Sequence, residues 1–229
     1  MSNSTRRVAV TGAFGALGAA VVQLALKSGA VVAAIDYAPA DSARDHENLH
    51  QFGGVDLSSP EQAGKVFLDA SEAMGGLDSL INIAGGFTWE TFSGSDIGSW
   101  DKMYNINVRT AVISTQSALP FLSKGLHSSV VNISANSALK SEMGVAAYTA
   151  SKAAVAKLTE SLADEYKGQI RFNAVLPSIV DTPVNRADMP DADFSAWVSP
   201  DELAKVILFL TSPNSSAVTG ALIPVVGRV

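Results

Sequence analysis

The sequence predicts an α/β protein: a doubly wound parallel sheet of about seven strands with helices on both faces. Three observations predict it. Short apolar or β-branched runs alternate along the chain with longer segments of helical period. Several of the short runs are apolar throughout, as strands covered on both faces require. The first passes directly into a glycine-rich turn and then a helix-forming stretch. Residues 1–229 read as one domain, since 229 residues, 47% hydrophobic and 17% charged, have material for one well-buried core.

In chain order, the run RVAV places a strand at Arg7 to Val10, and the apolar period after the glycines places a helix at Leu17 to Ser28. The run VVAAI gives a second strand, Val31 to Ile35, and GVD a short third, Gly54 to Asp56. A helical pattern over Pro60 to Met74 leads to the strand Ser79 to Ile83. A long helix is expected over Ile97 to Leu122, followed by the β-branched strand Ser129 to Ile133. The alanine-rich stretch Tyr148 to Tyr166 is a helix, Ile170 to Val175 a strand, Pro200 to Thr211 a helix and Leu222 to Val225 the last strand. Ligands of such sheets bind beyond the strand C-termini, so functional motifs should fall there.

Composition narrows the chemistry. The formal charge is −6 and no basic run exceeds Arg6-Arg7, which argues against a nucleic-acid partner or an anionic membrane surface and favours a small-molecule substrate. The absence of cysteine excludes disulfides, thiol catalysis and thiolate metal sites. His46, His50 and His127 do not cluster with acidic residues into a metal-ligand set; His46 and His50, four apart, are read as solvated surface residues even if they share a helix face. Two arginines followed by VAVTGAFGALGAAVVQLAL superficially resemble a signal peptide, but strand, turn and helix explain the stretch better. No other segment offers a run of about 18 apolar residues that would span a membrane, and a cytoplasmic location is expected.

The turn Thr11-Gly12-Ala13-Phe14-Gly15-Ala16-Leu17-Gly18 lies between strand and helix. Its glycines allow close backbone approach, and the N–H groups at the helix start can face a pyrophosphate. Asp36 ends the second strand, where a carboxylate can accept from both ribose hydroxyls of an adenosine and repel a 2′-phosphate. With no arginine adjacent, the expected cofactor is NAD(H) on a Rossmann-type domain. Farther along, Tyr148 and Lys152 stand four apart on one helix face. An ammonium beside a phenol favours the phenolate and draws its pKa down from about 10, which would make Tyr148 a general acid/base.

These residues resemble the short-chain dehydrogenase/reductases over nearly the whole chain. The family's TGxxxGxG loop is similar to TGAFGALG, its NNAG turn to Asn82-Ile83-Ala84-Gly85, and its helix asparagine to Asn107. Its YxxxK pair matches Tyr148 and Lys152, and its PGxxxT segment resembles Pro177 to Thr182. The resemblance implies that Tyr148 exchanges a proton with the substrate, Lys152 holds the ribose, Asn107 organises a relay water and Thr182 meets the nicotinamide carboxamide. It further implies cofactor contacts at Gly12, Phe14, Gly15, Ala16, Leu17 and Gly18, at Asp36, Tyr37, Asp56 and Leu57, at Ala84, Gly85 and Gly86, and at Pro177 and Val180. It also implies a homodimer built on the helices carrying Asn107 and Tyr148, or a homotetramer; Ala146, Ala147, Ala150, Ala153 and Ala154 would allow close packing against a second subunit or equally serve the sheet.

The departures are informative. Gly15 comes one place early, Ala16 occupies the family's middle glycine, Ile83 replaces an asparagine and Ser178 a glycine. The family's catalytic serine falls at Ala135, thirteen residues before Tyr148. Ser134 points to the opposite strand face, so Ser137 is the candidate replacement if its loop folds back. A quinonoid dihydropteridine reductase-like branch also carries alanine there, and VLPSIVDTPVNRADMPDADFSAW resembles its counterpart. A quinonoid dihydropterin accepts hydride with protonation at nitrogen, so no alkoxide forms and the serine is less needed. An ordinary alcohol dehydrogenase or ketone reductase is the alternative, and a non-catalytic NAD-binding protein the alternative of another class. Phe87, Trp89, Phe194 and Trp197 read equally as packing or as substrate contacts. Residues 185–198, rich in Asp and Pro without a clear helical period, suit a substrate lid.

Overall fold

The computed structural model describes residues 5–41, 46–122 and 127–228. Seven strands, β1 (Arg7–Thr11), β2 (Val31–Ile35), β3 (Leu49–Phe52), β4 (Ser79–Asn82), β5 (Ser129–Ile133), β6 (Arg171–Pro177) and β7 (Leu222–Val225), form one sheet in the order β3-β2-β1-β4-β5-β6-β7. Every neighbouring pair is parallel. Strand order reverses between β1 and β4, and that switch point opens a crevice at the C-terminal edge.

Alternation along the strands feeds two cores. Val8, Val10, Val32, Ala34, Ile81 and Val131 point to one face, where helices α1 (Ala16–Lys27) and α7 (Pro200–Thr211) cover them with Val21, Ala25, Leu203 and Ile207. Ala9, Ala33, Ile35, Leu80, Val130 and Phe172 point to the other, against α2 (Pro60–Met74), α4 (Thr110–Leu122) and α5 (Ala146–Glu165), with Phe67 fully buried. Helix ends follow local chemistry. Ser59 caps α2 ahead of Pro60, Gly75 ends it at φ +70°, and Ser199 with Glu202 forms a capping box on α7.

Three expectations are corrected. The third strand is Leu49–Phe52, not Gly54 to Asp56; His50 and Gln51 on this half-exposed edge break the apolar signal, and Gly54 at φ +73° turns the chain away. His50 therefore lies in a strand and shares no helix with His46. The helix expected over Ile97 to Leu122 does span those residues, running without a break through α3 (Ile97–Met103), a π-helical stretch over Tyr104–Arg109, and α4. The region read as lacking helical period contains α6 (Pro183–Asp188), where Thr182 caps and Pro183 opens one short helix.

A polar ladder crosses the second core. Asn82 on β4 donates to Thr115 on α4 and to Asn132 on β5, which donates to Thr159 on α5. At the far edge, β7 takes Ser178 N–H at Val225 and offers Ala221 to Ala174, while Pro224 stands exposed between them.

Candidate active site

At the switch point the glycine turn is shaped by close approach. Gly12 has φ +63°, and a Cβ there would lie 2.7 Å from the Ala84 nitrogen. A Cβ on Gly18 would fall 2.1 Å from the Gly12 carbonyl oxygen, whereas at Gly15 the nearest atom is 3.6 Å away. Thr11 Oγ1 accepts from the backbone N–H groups of Ile83 and Ala84, which locks the ends of β1 and β4 together. Gly15 caps α1 without a side-chain hydrogen bond, and the first turn carries no acidic residue. Its N–H groups are left for an incoming acceptor.

A cleft of about 970 Å³ opens over this turn. The turn contributes Gly12, Phe14, Gly15, Ala16, Leu17 and Gly18 to its wall. Asp36 and Tyr37 line it after β2, Asp56 and Leu57 after β3, and Ala84, Gly85 and Thr182 close the nearer end. Gly86, Tyr148, Lys152, Pro177 and Val180 are not on that wall. Gly86 faces Asn107, Pro177 ends β6, and Val180 is bridged to Val198. Sequence reasoning missed Val55, Asn105, Ile106, Thr110 and Val184, which also line the cleft. The helical period around Asn107 signals Ile106 and Thr110 as neighbours, but nothing local signals Val55 or Val184.

Both oxygens of Asp36 are engaged at the cleft, accepting from Phe14 N–H at 2.8 Å and Ala38 N–H at 2.9 Å. The carboxylate thus fastens the glycine turn to the end of β2, and its remaining lone pairs stay available to a ligand. Asp56 is similarly held, accepting from the backbone and hydroxyl of Ser58 at 2.8 and 2.7 Å. No lysine or arginine lies among the described residues of the wall.

Tyr148, Lys152 and Asn107 converge beside the Ala84-Gly85-Gly86 turn. The Asn107 amide makes a reciprocal pair with Gly86, accepting its N–H at 2.9 Å and donating to its carbonyl at 3.1 Å. It also donates to Ser151 Oγ at 3.0 Å, and Ser151 donates to the Tyr148 carbonyl at 2.6 Å. Asn107 sits inside the π-helical stretch, a local widening that recurs at functional sites. Lys152 is buried, and its Nζ donates to the Ile133 carbonyl at 3.0 Å and lies 5.9 Å from the Tyr148 ring centre.

The expected electrostatics are corrected. Burial pushes the Tyr148 phenol up to about 12 and pulls the Lys152 ammonium down to about 8. With its ammonium turned to Ile133, the lysine does not offset desolvation of the phenol. Burial thus keeps Tyr148 protonated at neutral pH.

Ala135 is buried, with no hydroxyl to offer. Ser134 donates to the Lys152 carbonyl at 2.8 Å and pins that turn of α5 to β5. Ser137 lies in a 3-10 turn, Asn136–Ala138, with its hydroxyl buried and without a partner. Beyond β6, Arg186 is clamped on Asp181 at 2.5 and 2.7 Å. Phe194 packs 4.8 Å from Trp197, which is buried, and Phe87 stands edge-on to Tyr148 with ring centres 4.9 Å apart.

A family model described as short chain dehydrogenase matches residues 6–193. The chain belongs to this family. Short-chain dehydrogenase/reductase cdmF of Talaromyces verruculosus is 32% identical, with 95% of this chain and 94% of that protein covered. The 3-oxoacyl-[acyl-carrier-protein] reductase FabG of Thermotoga maritima is also 32% identical over 95% of each. Among solved structures, the ligand-free aldohexose dehydrogenase of Thermoplasma acidophilum superposes with a TM-score of 0.88 at 26% identity, covering 98% of this chain and 93% of that one. This short-chain dehydrogenase is accordingly an oxidoreductase of small molecules that binds a nicotinamide cofactor. No helix among its described residues is long and apolar enough to cross a membrane.

Proposed function

We propose that this short-chain dehydrogenase is an NAD(H)-dependent reductase of an electron-poor conjugated C=N substrate, of which a quinonoid dihydropterin is the model. The observation that carries the proposal is Ala135: a buried methyl group stands where the family's serine would steady a developing alkoxide. Such a donor contributes about 2–4 kcal/mol where an oxyanion forms. Hydride addition to the conjugated system with protonation at nitrogen forms none.

The residues present fit the cofactor. The uncapped start of α1 suits a pyrophosphate, Asp36 suits a ribose diol, and the lack of a cation on the described cleft wall disfavours a 2′-phosphate. Lys152, turned from Ile133, would hold the second ribose, and Thr182, Pro177 and Val180 the nicotinamide end. When bound, the reduced nicotinamide supplies hydride. Tyr148, kept protonated by burial, supplies the proton from its Oη, Lys152 stabilises the phenolate left behind, and Asn107 holds the Gly85-Gly86 turn in register with them. Residues 185–198 act as the substrate lid, and a homodimer or homotetramer is the expected assembly.

One observation favours a second reading, reduction of a ketone or its reverse. The buried, unpartnered hydroxyl of Ser137 is a donor awaiting an acceptor, and a carbonyl oxygen would be one. NADH oxidation with freshly generated quinonoid dihydropterin separates the two readings. Turnover well above the nonenzymatic rate, falling at least 100-fold in Tyr148→Phe, is expected. Absence of turnover, with ketone reduction that rises in Ala135→Ser and falls in Ser137→Ala, assigns the enzyme to ketones. Cofactor binding without turnover of any substrate, unchanged in Tyr148→Phe, overturns catalysis altogether.

A further inference from the structure

The loop after β4 and the loop after β5 both expose large apolar side chains. Phe87 is 56% exposed, Trp89 58%, Leu139 58% and Met143 79%. Burying such side chains is favourable, and one of them, Phe87, stands directly against the Tyr148 phenol. They do not hang free of one another. Glu90 N–H donates to the Gly144 carbonyl at 2.8 Å, tying the loops together. A Cβ on Gly144, at φ +81°, would fall 2.2 Å from Trp89 Nε1, so the indole lies directly on the Gly144 backbone. The Phe87 ring meets Tyr148 edge-on at 4.9 Å and continues that surface to the proton donor.

Charge is scarce along this surface. The Glu90 carboxylate accepts from Ser99 Oγ at 2.9 Å and is half-buried. Lys140 and Glu142, two residues apart and of opposite sign, are both solvent-exposed. Arg186, the cation of the facing segment, is committed twice: to Asp181 in a bidentate pair and to the face of Phe194, 4.7 Å away. Apart from Lys152, whose Nζ is bonded to the Ile133 carbonyl and which the proposed function gives to the ribose, a substrate carboxylate or phosphate would find no buried cation here among the described residues.

We infer that Phe87 and Trp89, continued by Leu139 and Met143, form a substrate-recognition wall that selects a flat, uncharged ring and discriminates against small or anionic substrates. The inference rests on the reading of Tyr148 as proton donor to a reduced substrate. It holds for a C=N or a C=O acceptor alike, because the wall touches the ring and not the reacting bond. Aromatic side chains offer large contact area with few torsions to freeze, so a planar ring stacked on them keeps most of the gain.

Three ketones, each carrying a carbonyl or carboxylate beside the reacting group, test it with NADH: isatin, planar and uncharged; 2,3-butanedione, small and uncharged; and pyruvate, small and anionic. In each reduction hydride adds to the ketone carbon, the carbonyl π pair takes the Tyr148 proton, and NADH leaves as NAD⁺. The expected result is kcat/KM for isatin at least 30-fold above 2,3-butanedione and higher still above pyruvate. Phe87→Ala and Trp89→Ala should raise KM for isatin about tenfold with little change in kcat, leaving KM for 2,3-butanedione unaltered. A preference for pyruvate or 2,3-butanedione, or an equal loss on all three, overturns the wall. Ligand-observed NMR of isatin with Tyr148→Phe keeps the two readings apart. Binding that disappears in Phe87→Ala, without isatin turnover in the parent enzyme, keeps the wall and removes only the ketone reading, the C=N reading standing or falling with the dihydropterin assay; no binding removes the wall.

Discussion

Lys152 illustrates how a functional side chain sets itself against stability. Its folded pKa of about 8 lies below the ordinary lysine value of 10.5, so below pH 8 both states are charged and the folded state bears the whole cost of burying an ammonium. Between pH 8 and 10.5 the unfolded chain binds more protons, and stability rises with pH; above that window both states are neutral. Lys152→Met should therefore stabilise the protein at pH 7 by about 1–3 kcal/mol in urea unfolding, with the gain shrinking as pH passes 8 and vanishing by about 10.5. A pH-independent difference, or a loss, would mean the ammonium is better satisfied than its single Ile133 bond indicates. The spacing of Tyr148 and Lys152 is legible in the sequence, and so is the shared helix face. The direction of the tyrosine shift is not, because it depends on what the ammonium bonds in space, and the Ile133 carbonyl belongs to another element.

At the scale of elements, the glycine turn and the long helix show what pattern reading captures. Turn, helix start and the acidic end of β2 were legible because each is a local event. The π-helical stretch was not, because the segments on either side of it keep an ordinary helical period and nothing local marks where the phase between them shifts. The third strand failed for a related reason: an edge strand covered on one side reads as polar. The glycines differ in kind, although all three stand in one motif. Gly18→Ala forces a Cβ into the Gly12 carbonyl oxygen, whereas Gly15→Ala meets nothing closer than 3.6 Å. In thermal melts, Gly18→Ala should lower Tm by several degrees or prevent folding, while Gly15→Ala should leave it within error and only weaken NADH binding. Equal losses in both would place the constraint in backbone entropy rather than contact.

Across the whole molecule, the ladder Thr115–Asn82–Asn132–Thr159 couples the helices that carry the site. Its ends lie on α4, continuous with the stretch bearing Asn107, and on α5, bearing Tyr148. Asn132→Ala strips Asn82 and Thr159 of a buried partner and should cost about 2–3 kcal/mol in urea unfolding. A cost under about 0.5 kcal/mol would show that the helices hold their places by apolar packing alone. None of these cross-sheet pairings is visible in sequence, since they join residues 27 to 50 positions apart.

The exposed proline of β7 bears on how the sheet stops. Ala221 and Val225 turn their carbonyls to β6, so Pro224, of opposite parity, faces outward, and at that rung the rim has no amide hydrogen. A foreign strand laid along this four-residue rim would find its ladder broken in the middle. The protein thereby resists being templated into a growing ribbon, and copies of it that meet on this side must recognise each other through side chains rather than through shared backbone.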